Sequence, residues 1–132
     1  MQSIVILISG SGSNMAAIIK AAQVQNWEQK YQAKITAVIA NRPDAKGLSI
    51  AKAAGIETQV VDHKKYPNRT DFETELTKVI QIYQPSLIVL AGFMRILSGA
   101  FTQQYPEKII NIHPSLLPAF TGLHTHERAL QM

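Results

Sequence analysis

Two hydrophobic periodicities alternate along the chain. Short continuous apolar runs, typical of strands buried on both faces, are separated by segments whose apolar residues recur at helical spacing. The runs predict five strands, at residues 4–8, 35–40, 58–61, 87–91 and 109–112. Between them, the helical spacing predicts four helices, near residues 15–22, 48–54, 72–83 and 98–105.

Local signals mark the helix ends. Ser13 or Asn14 is expected to cap the first helix, and residues 70–73 (Thr-Asp-Phe-Glu) have the pattern of a capping box. Gly55, Pro85 and Pro106 are expected to end the other helices. Strands that alternate with helices predict a doubly wound, mostly parallel, Rossmann-like α/β sheet covered by helices on both faces.

The last eight residues, 125–132, look like the opening of a helix with no residue to stop it. We therefore expect residues 1–132 to be the N-terminal part of a single larger domain, cut short at its C-terminus. The alternative is a short protein with a frayed tail.

Composition narrows the class of protein. With 132 residues, 46% of them hydrophobic and 17% charged, the chain fits one globular domain. The lack of cysteine excludes a disulfide scaffold, a thiolate metal site and a cysteine nucleophile. The net charge of +4 comes from scattered basic residues, which favours a small anionic ligand over nucleic acid. The longest apolar run is too short to span a bilayer and no secretory signal is visible, so we expect a cytoplasmic protein without membrane contact.

A glycine- and serine-rich turn, residues 9–14 (Ser-Gly-Ser-Gly-Ser-Asn), joins the first strand to the first helix. Its glycines let the backbone approach a ligand, and the amides of the helix start would face an anion. A dinucleotide site would need a third glycine where Met15 stands, and an acidic residue where Asn41 and Arg42 stand. The turn therefore predicts a phosphate site without a dinucleotide, with a plain strand-to-helix turn as the alternative.

Asn111 and His113 lie two apart on the fifth strand, so their side chains leave on one face. An imidazole can move a proton near neutral pH, and an amide can donate to an oxyanion. This pair suits acyl transfer at the carboxyl edge of the sheet, where strand order reverses. We expect it to share one hollow with the phosphate turn. A core histidine bonded to a backbone carbonyl is the alternative.

Other polar residues are more ambiguous. His113, His124 and His126 could together bind zinc, but histidines that hold a loop in place explain them better. Arg95, after the fourth strand, and Arg69, at the start of the third helix, could each hold an anion or be surface charges.

Three stretches of sequence carry a family resemblance. They are Ile-Ser-Gly-Ser-Gly-Ser-Asn near the N-terminus, Leu-Ala-Gly-Phe-Met-Arg-Ile-Leu-Ser in the centre, and Asn-Ile-His-Pro-Ser-Leu-Leu-Pro followed by Gly-Leu-His-Thr-His. With them the chain resembles the phosphoribosylglycinamide formyltransferases, folate-dependent enzymes of purine synthesis. The resemblance implies transfer of a formyl group from 10-formyltetrahydrofolate, as cosubstrate, to the amine of glycinamide ribonucleotide, with no metal.

The resemblance also implies roles for residues. The ribose phosphate of the nucleotide would contact Gly12, Ser13 and Asn14, with Arg69 and Lys108 at the same pocket. Asn111 and His113 would belong to a catalytic Asn-His-Asp set. The folate pocket would be bordered by Met94, Arg95, Ile96, Leu97 and Ile109.

The family's catalytic aspartate and folate loop would lie beyond Met132, so the resemblance implies that this chain alone is inactive or nearly so. Its unfinished sheet edge would favour self-association. Two other functions stay open: a phosphosugar-binding domain without catalysis, and a related formyl-transfer or deformylating enzyme.

Overall fold

The computed structural model describes residues 2–93 and 97–112. Five strands in this part form one sheet, and every pairing is parallel. The strands are β1 (Gln2–Ile8), β2 (Ala33–Ala40), β3 (Glu57–Val60), β4 (Leu87–Ala91) and β5 (Ile109–Ile112). Their order is β3-β2-β1-β4-β5, so the direction of winding reverses between β1 and β4.

Helices connect the strands and cover the sheet. They are α1 (Ser13–Val24), α2 (Trp27–Tyr31), α3 (Gly47–Ala53), α4 (Arg69–Gln81) and α5 (Gly99–Gln103), with one 3₁₀ turn at His63–Lys65. The alternation and the sheet order confirm the predicted doubly wound, Rossmann-like class. Helix α2 and the 3₁₀ turn were not predicted, because each is less than two turns long and has no apolar periodicity to mark it.

Two apolar layers hold the sheet between its helices. On one face, α1 and α3 contribute Met15, Ile18 and Leu48 to a core with alternate residues of the central strands. On the other face, Phe72 of α4 and Phe101 of α5 pack against the intervening strand residues. β1 lies at the centre of both layers, and its last four residues are fully buried. The fully buried part of β1 therefore ends directly at the glycine-rich turn.

Two predicted helix caps are wrong. Helix α1 is preceded by Gly12, whose left-handed backbone turns the chain into the helix, and neither Ser13 nor Asn14 caps it. Helix α4 begins at Arg69, earlier than the capping-box pattern indicates, because Asn68 accepts a 2.8 Å hydrogen bond from the Asp71 amide. Glu73 is not used for capping α4, since its carboxylate bonds to Ser98 instead. By contrast Gly55, with φ of +78°, follows the end of α3 as predicted.

Candidate functional site

The turn between β1 and α1, residues 9–14 and here called the phosphate turn, has the backbone geometry of an anion site. Gly12 has φ of 75°, a left-handed conformation that glycine adopts without a Cβ penalty. The Ala16 amide donates to the Gly12 carbonyl at 2.7 Å, as the first bond of α1. The amides of residues 13–15 therefore precede the helical ladder, and no described side chain caps them. These N–H groups and the positive end of the helix dipole suit a phosphate.

Asn111 lies near the same edge of the sheet as the phosphate turn. It pairs with Leu90 of β4, which pairs with Leu7 of β1, so Asn111 stands level with a residue two positions before the turn. Two strand spacings, about 10 Å, separate β5 from β1. Asn111 is exposed among the described residues.

The two groups approach this edge from different faces. Ile110 and Ile112 pack on the α1 and α3 side, so strand alternation directs Asn111 to the α4 and α5 side. The phosphate turn leads into α1 on the first side. Ligands in open α/β sheets bind in the crevice above the carboxyl ends, where the winding reverses. The phosphate turn and Asn111 thus both lie near this reversal, at one edge but approached from different faces, and the hollow they are expected to share stays a prediction.

Arg42, which follows β2, is committed to an ion pair. Its Nε and Nη2 atoms donate to the two Asp44 oxygens at 2.7 and 2.8 Å. The hydrogen bond from Arg42 lowers the pKa of Asp44 to about 2, while Asp44 raises the pKa of Arg42 above its ordinary value. A guanidinium that already donates two hydrogen bonds to one carboxylate is a poor candidate for binding a phosphate.

The two basic residues that the resemblance assigns to the nucleotide pocket have different positions. Arg69 is the first residue of α4, which follows the carboxyl end of β3, so it lies at the edge that carries the phosphate turn. Lys108 precedes β5, and its carbonyl accepts from the Ile88 amide at 2.7 Å. It therefore lies at the amino end of that strand, about four residues or 13 Å below the carboxyl edge. The structure brings Arg69 to the proposed pocket's edge and does not bring Lys108 there.

Leu97 and Ile109, which the resemblance assigns to the folate pocket, are half-buried against the α4 and α5 core. The segment that follows Leu97 is tied to α4. Glu73, itself buried, accepts hydrogen bonds from the Ser98 amide at 2.7 Å and from the Ser98 hydroxyl at 2.5 Å. Ser98 in turn caps α5 by accepting from the Phe101 amide. Nothing local in the sequence indicates this bridge, because its partners are 25 residues apart.

A second contact that sequence reasoning missed lies beside the phosphate turn. The Asn41 amide donates to the carbonyl of Ile8 at 3.2 Å, which fixes the end of β2 to the end of β1. The carbonyl of Asn41 accepts from His63, both from its amide at 3.1 Å and from its Nδ1 at 2.8 Å. His63 therefore has a structural partner and is held in one ring orientation.

Four of the predicted site residues lie outside the described residues, together with two further histidines considered for zinc. They are Met94, Arg95, Ile96 and His113, with His124 and His126 among the zinc candidates. Within the described ranges, no group of three or more histidines and carboxylates is arranged to hold a metal. No helix in these same ranges is long and apolar enough to cross a membrane.

A parallel sheet with a reversal of winding at its centre, and a glycine-rich turn beside that reversal, defines a Rossmann-like α/β protein. Comparison with known proteins gives the family. The formyl transferase family matches residues 2–132, and the chain belongs to that family.

Relatives within the family are similar along nearly the whole chain. Phosphoribosylglycinamide formyltransferase of Escherichia coli is 46% identical over 129 residues, which cover 98% of this chain and 59% of the relative. The human trifunctional purine biosynthetic protein adenosine-3 is 44% identical over 128 residues, covering 97% of this chain and 12% of that protein.

Solved structures agree with this assignment. Phosphoribosylglycinamide formyltransferase from Coxiella burnetii superimposes with a TM-score of 0.78 at 54% identity, covering 98% of this chain and 59% of that one. The enzyme from Brucella melitensis gives 0.79 at 47% identity, covering 98% and 66%. The chain thus spans about three fifths of the length of the bacterial relatives it matches.

Proposed function

We propose that this chain supplies the nucleotide-phosphate site and part of the transfer centre of a phosphoribosylglycinamide formyltransferase. One observation carries the proposal. The start of α1, which has no side-chain cap, and the exposed amide of Asn111 on β5 lie at the same edge of the sheet, in a chain that is 46% identical to the Escherichia coli enzyme. The phosphate of glycinamide ribonucleotide would bind the amides of residues 13–15, with Gly12, Ser13 and Asn14 around it.

The proposed reaction is acyl transfer without a covalent enzyme intermediate. The glycinamide amine attacks the formyl carbon of 10-formyltetrahydrofolate, which forms a new C–N bond and a tetrahedral oxyanion. Asn111 donates its amide N–H to that oxyanion. His113 moves the proton from the attacking amine toward N10 of the folate, whose bond to the formyl carbon then breaks. The products are formylglycinamide ribonucleotide and tetrahydrofolate, so atoms and charge balance.

We also propose that efficient transfer needs a further segment, equivalent to the part of the bacterial relatives that this chain does not match. The family's catalytic aspartate and folate loop are expected there. Arg69 and the folate-side residues Met94, Arg95, Ile96, Leu97 and Ile109 remain proposed contacts. Lys108 is a weaker candidate, because it stands at the opposite end of β5.

The experiment compares two proteins. The first is the 132-residue chain, and the second is the same chain followed by the unmatched C-terminal part of the Escherichia coli relative. Both are tested for glycinamide ribonucleotide binding by calorimetry, and for product formation with 10-formyltetrahydrofolate by mass spectrometry. We expect nucleotide binding by both and turnover by the chimera alone. Turnover by the short chain at a comparable rate would refute the need for a further segment.

A substitution of Asn111 tests its proposed catalytic role. In the chimera, Asn111→Ala is expected to lower kcat at least 100-fold with little change in nucleotide affinity, because it removes an oxyanion donor. Asn68→Ala, which removes a helix cap away from β5, serves as the matched Asn→Ala variant. A chimera that binds the nucleotide but never forms product would instead favour a phosphosugar-binding domain without catalysis.

The proposed partners are therefore these two small molecules, in the cytoplasm, without nucleic acid or membrane. Self-association is a further proposal, based on the open edge that a parallel sheet presents. Light scattering on both proteins tests this proposal. If the open edge drives self-association, the short chain should associate more strongly than the chimera, whose added segment would cover that edge.

A further inference from the structure

The segment from the end of β2 to the start of α3, residues 41–47 and here called the bracing loop, contacts the phosphate turn. It forms two backbone hydrogen bonds with β1 and the turn that follows. The Asn41 amide donates to the carbonyl of Ile8 at 3.2 Å, and the Gly47 amide donates to the carbonyl of Gly10 at 3.1 Å. Both ends of the bracing loop are therefore fixed to the strand and turn that would carry the phosphate.

A steric contact adds to these bonds. A Cβ atom on Gly12 would lie 2.7 Å from the Gly47 Cα, and a Cβ on Gly47 would lie 3.0 Å from the Gly12 Cα. A Cβ on Gly47 would also lie 2.6 Å from the Ile8 Cδ1 atom. Because carbon atoms in packed interiors stay about 3.5–4 Å apart, two backbones can meet this closely only where both residues are glycine. Gly12 and Gly47 thus form one close backbone crossing.

We propose that Gly47 is a positioning residue for the phosphate turn. Gly47 does not touch the ligand; its missing side chain lets Gly12 keep the left-handed conformation from which the amides of residues 13–15 are presented. A side chain at residue 47 would push the Gly12 backbone outward and turn those amides away from a bound phosphate. The inference rests on the proposed function, because it needs a phosphate at this turn.

The expected loss of phosphate affinity follows from hydrogen-bond geometry. Several amides must converge on one anion, and such bonds weaken steeply when donor angles or distances change. A displacement of a few tenths of an ångström at Gly12 alters all three amides together, since they follow it directly in the helix. We therefore expect Gly47→Ala to weaken nucleotide binding by at least tenfold, although residue 47 is outside the turn.

The test measures binding of glycinamide ribonucleotide to the 132-residue chain by calorimetry, and perturbation of the amide signals of residues 13–15 by NMR. Gly47→Ala is compared with Gly99→Ala, a matched substitution in α5 where a Cβ meets nothing within 4 Å. We expect Gly99→Ala to bind like the unmodified chain. In the chimera, Gly47→Ala should raise KM for the nucleotide and leave KM for the folate unchanged.

A second variant separates positioning from general destabilisation. Ile8→Val removes the Cδ1 atom that a Cβ at residue 47 would meet, but leaves the contact with Gly12. The double variant Ile8→Val, Gly47→Ala should therefore recover thermal stability relative to Gly47→Ala while its nucleotide affinity stays low. This variant also serves if Gly47→Ala alone does not fold.

The outcomes distinguish the two proposals. If the unmodified chain and the chimera both fail to bind the nucleotide, the proposed function is wrong and this inference falls with it. If they bind it and Gly47→Ala binds equally well, only the role of Gly47 is wrong. Affinity that returns together with stability in the double variant would also overturn that role, because it would reduce Gly47 to a packing residue.

Discussion

At the scale of single residues, the ion pair between Asp44 and Arg42 predicts how the stability of the fold depends on pH. Arg42 lowers the pKa of Asp44 from 3.8 to about 2, mainly through its hydrogen bond. A carboxyl whose pKa is depressed in the folded state stabilises that state above its unfolded pKa, and the effect is lost as pH falls through the folded value. The pair therefore stabilises the fold above about pH 4 and ceases to do so near pH 2.

Arg42→Ala should return the pKa of Asp44 toward 3.8, as followed by NMR of its carboxyl carbon. The two side chains are 49% and 67% exposed, so the change in unfolding free energy at neutral pH should be small. Arg69→Ala is the control, since Arg69 is not among the groups that shift Asp44. An Asp44 pKa that stays near 2 without Arg42 would mean that another group holds the carboxylate.

At the scale of elements, the bridge between Glu73 and Ser98 joins α4 to the start of α5. The buried carboxylate accepts two hydrogen bonds from one residue, and Ser98 then caps α5. Glu73→Ala would leave the Ser98 amide and hydroxyl without this acceptor. We expect Glu73→Ala to lower the free energy of unfolding by about 1–3 kcal/mol, as measured by urea denaturation. Glu73→Gln should lower it less, because the glutamine oxygen can still accept one of the two hydrogen bonds.

Glu75 provides the matched control on the same helix. It is half-exposed, and its ion-pair contact with Lys78 is 4.0 Å long. Glu75→Ala should therefore change the free energy of unfolding by less than about 0.5 kcal/mol. Equal effects of Glu73→Ala and Glu75→Ala would show that the bridge contributes nothing to stability.

The same elements show what the sequence could and could not predict. All five strands were predicted, because the apolar runs are short, rich in β-branched residues and alternate with segments of helical spacing. Helix starts were harder. Gly12 begins α1 through backbone conformation alone, and Glu73, which fits a capping box, is used in a long-range bridge. Local patterns carry no information about partners that folding brings from 25 residues away.

At the scale of the whole molecule, sheet order decides which predicted site residues meet. The phosphate turn and Asn111 were predicted at one edge because all strands are parallel, and the pairing of β1, β4 and β5 agrees. Lys108 could not be placed from its sequence proximity to Asn111, since three residues along a strand separate the two by about 10 Å. A residue can thus be close in sequence to the carboxyl end of a strand without lying at that end.

The sheet order also predicts a gradient of local stability. β1 is paired on both sides and buried in both apolar layers, whereas β3 pairs with β2 among the described strands and none of its four residues is buried. Opening β3 disrupts little apolar packing, while opening β1 disrupts both layers and requires nearly global unfolding. Amide hydrogen exchange should therefore be at least tenfold slower across residues 5–8 than across residues 57–60, as measured by NMR. The phosphate turn, attached to β1, would then keep its position while the β3 edge opens. Comparable exchange rates in the two strands would mean that β1 is not the stable centre to which the turn is fixed.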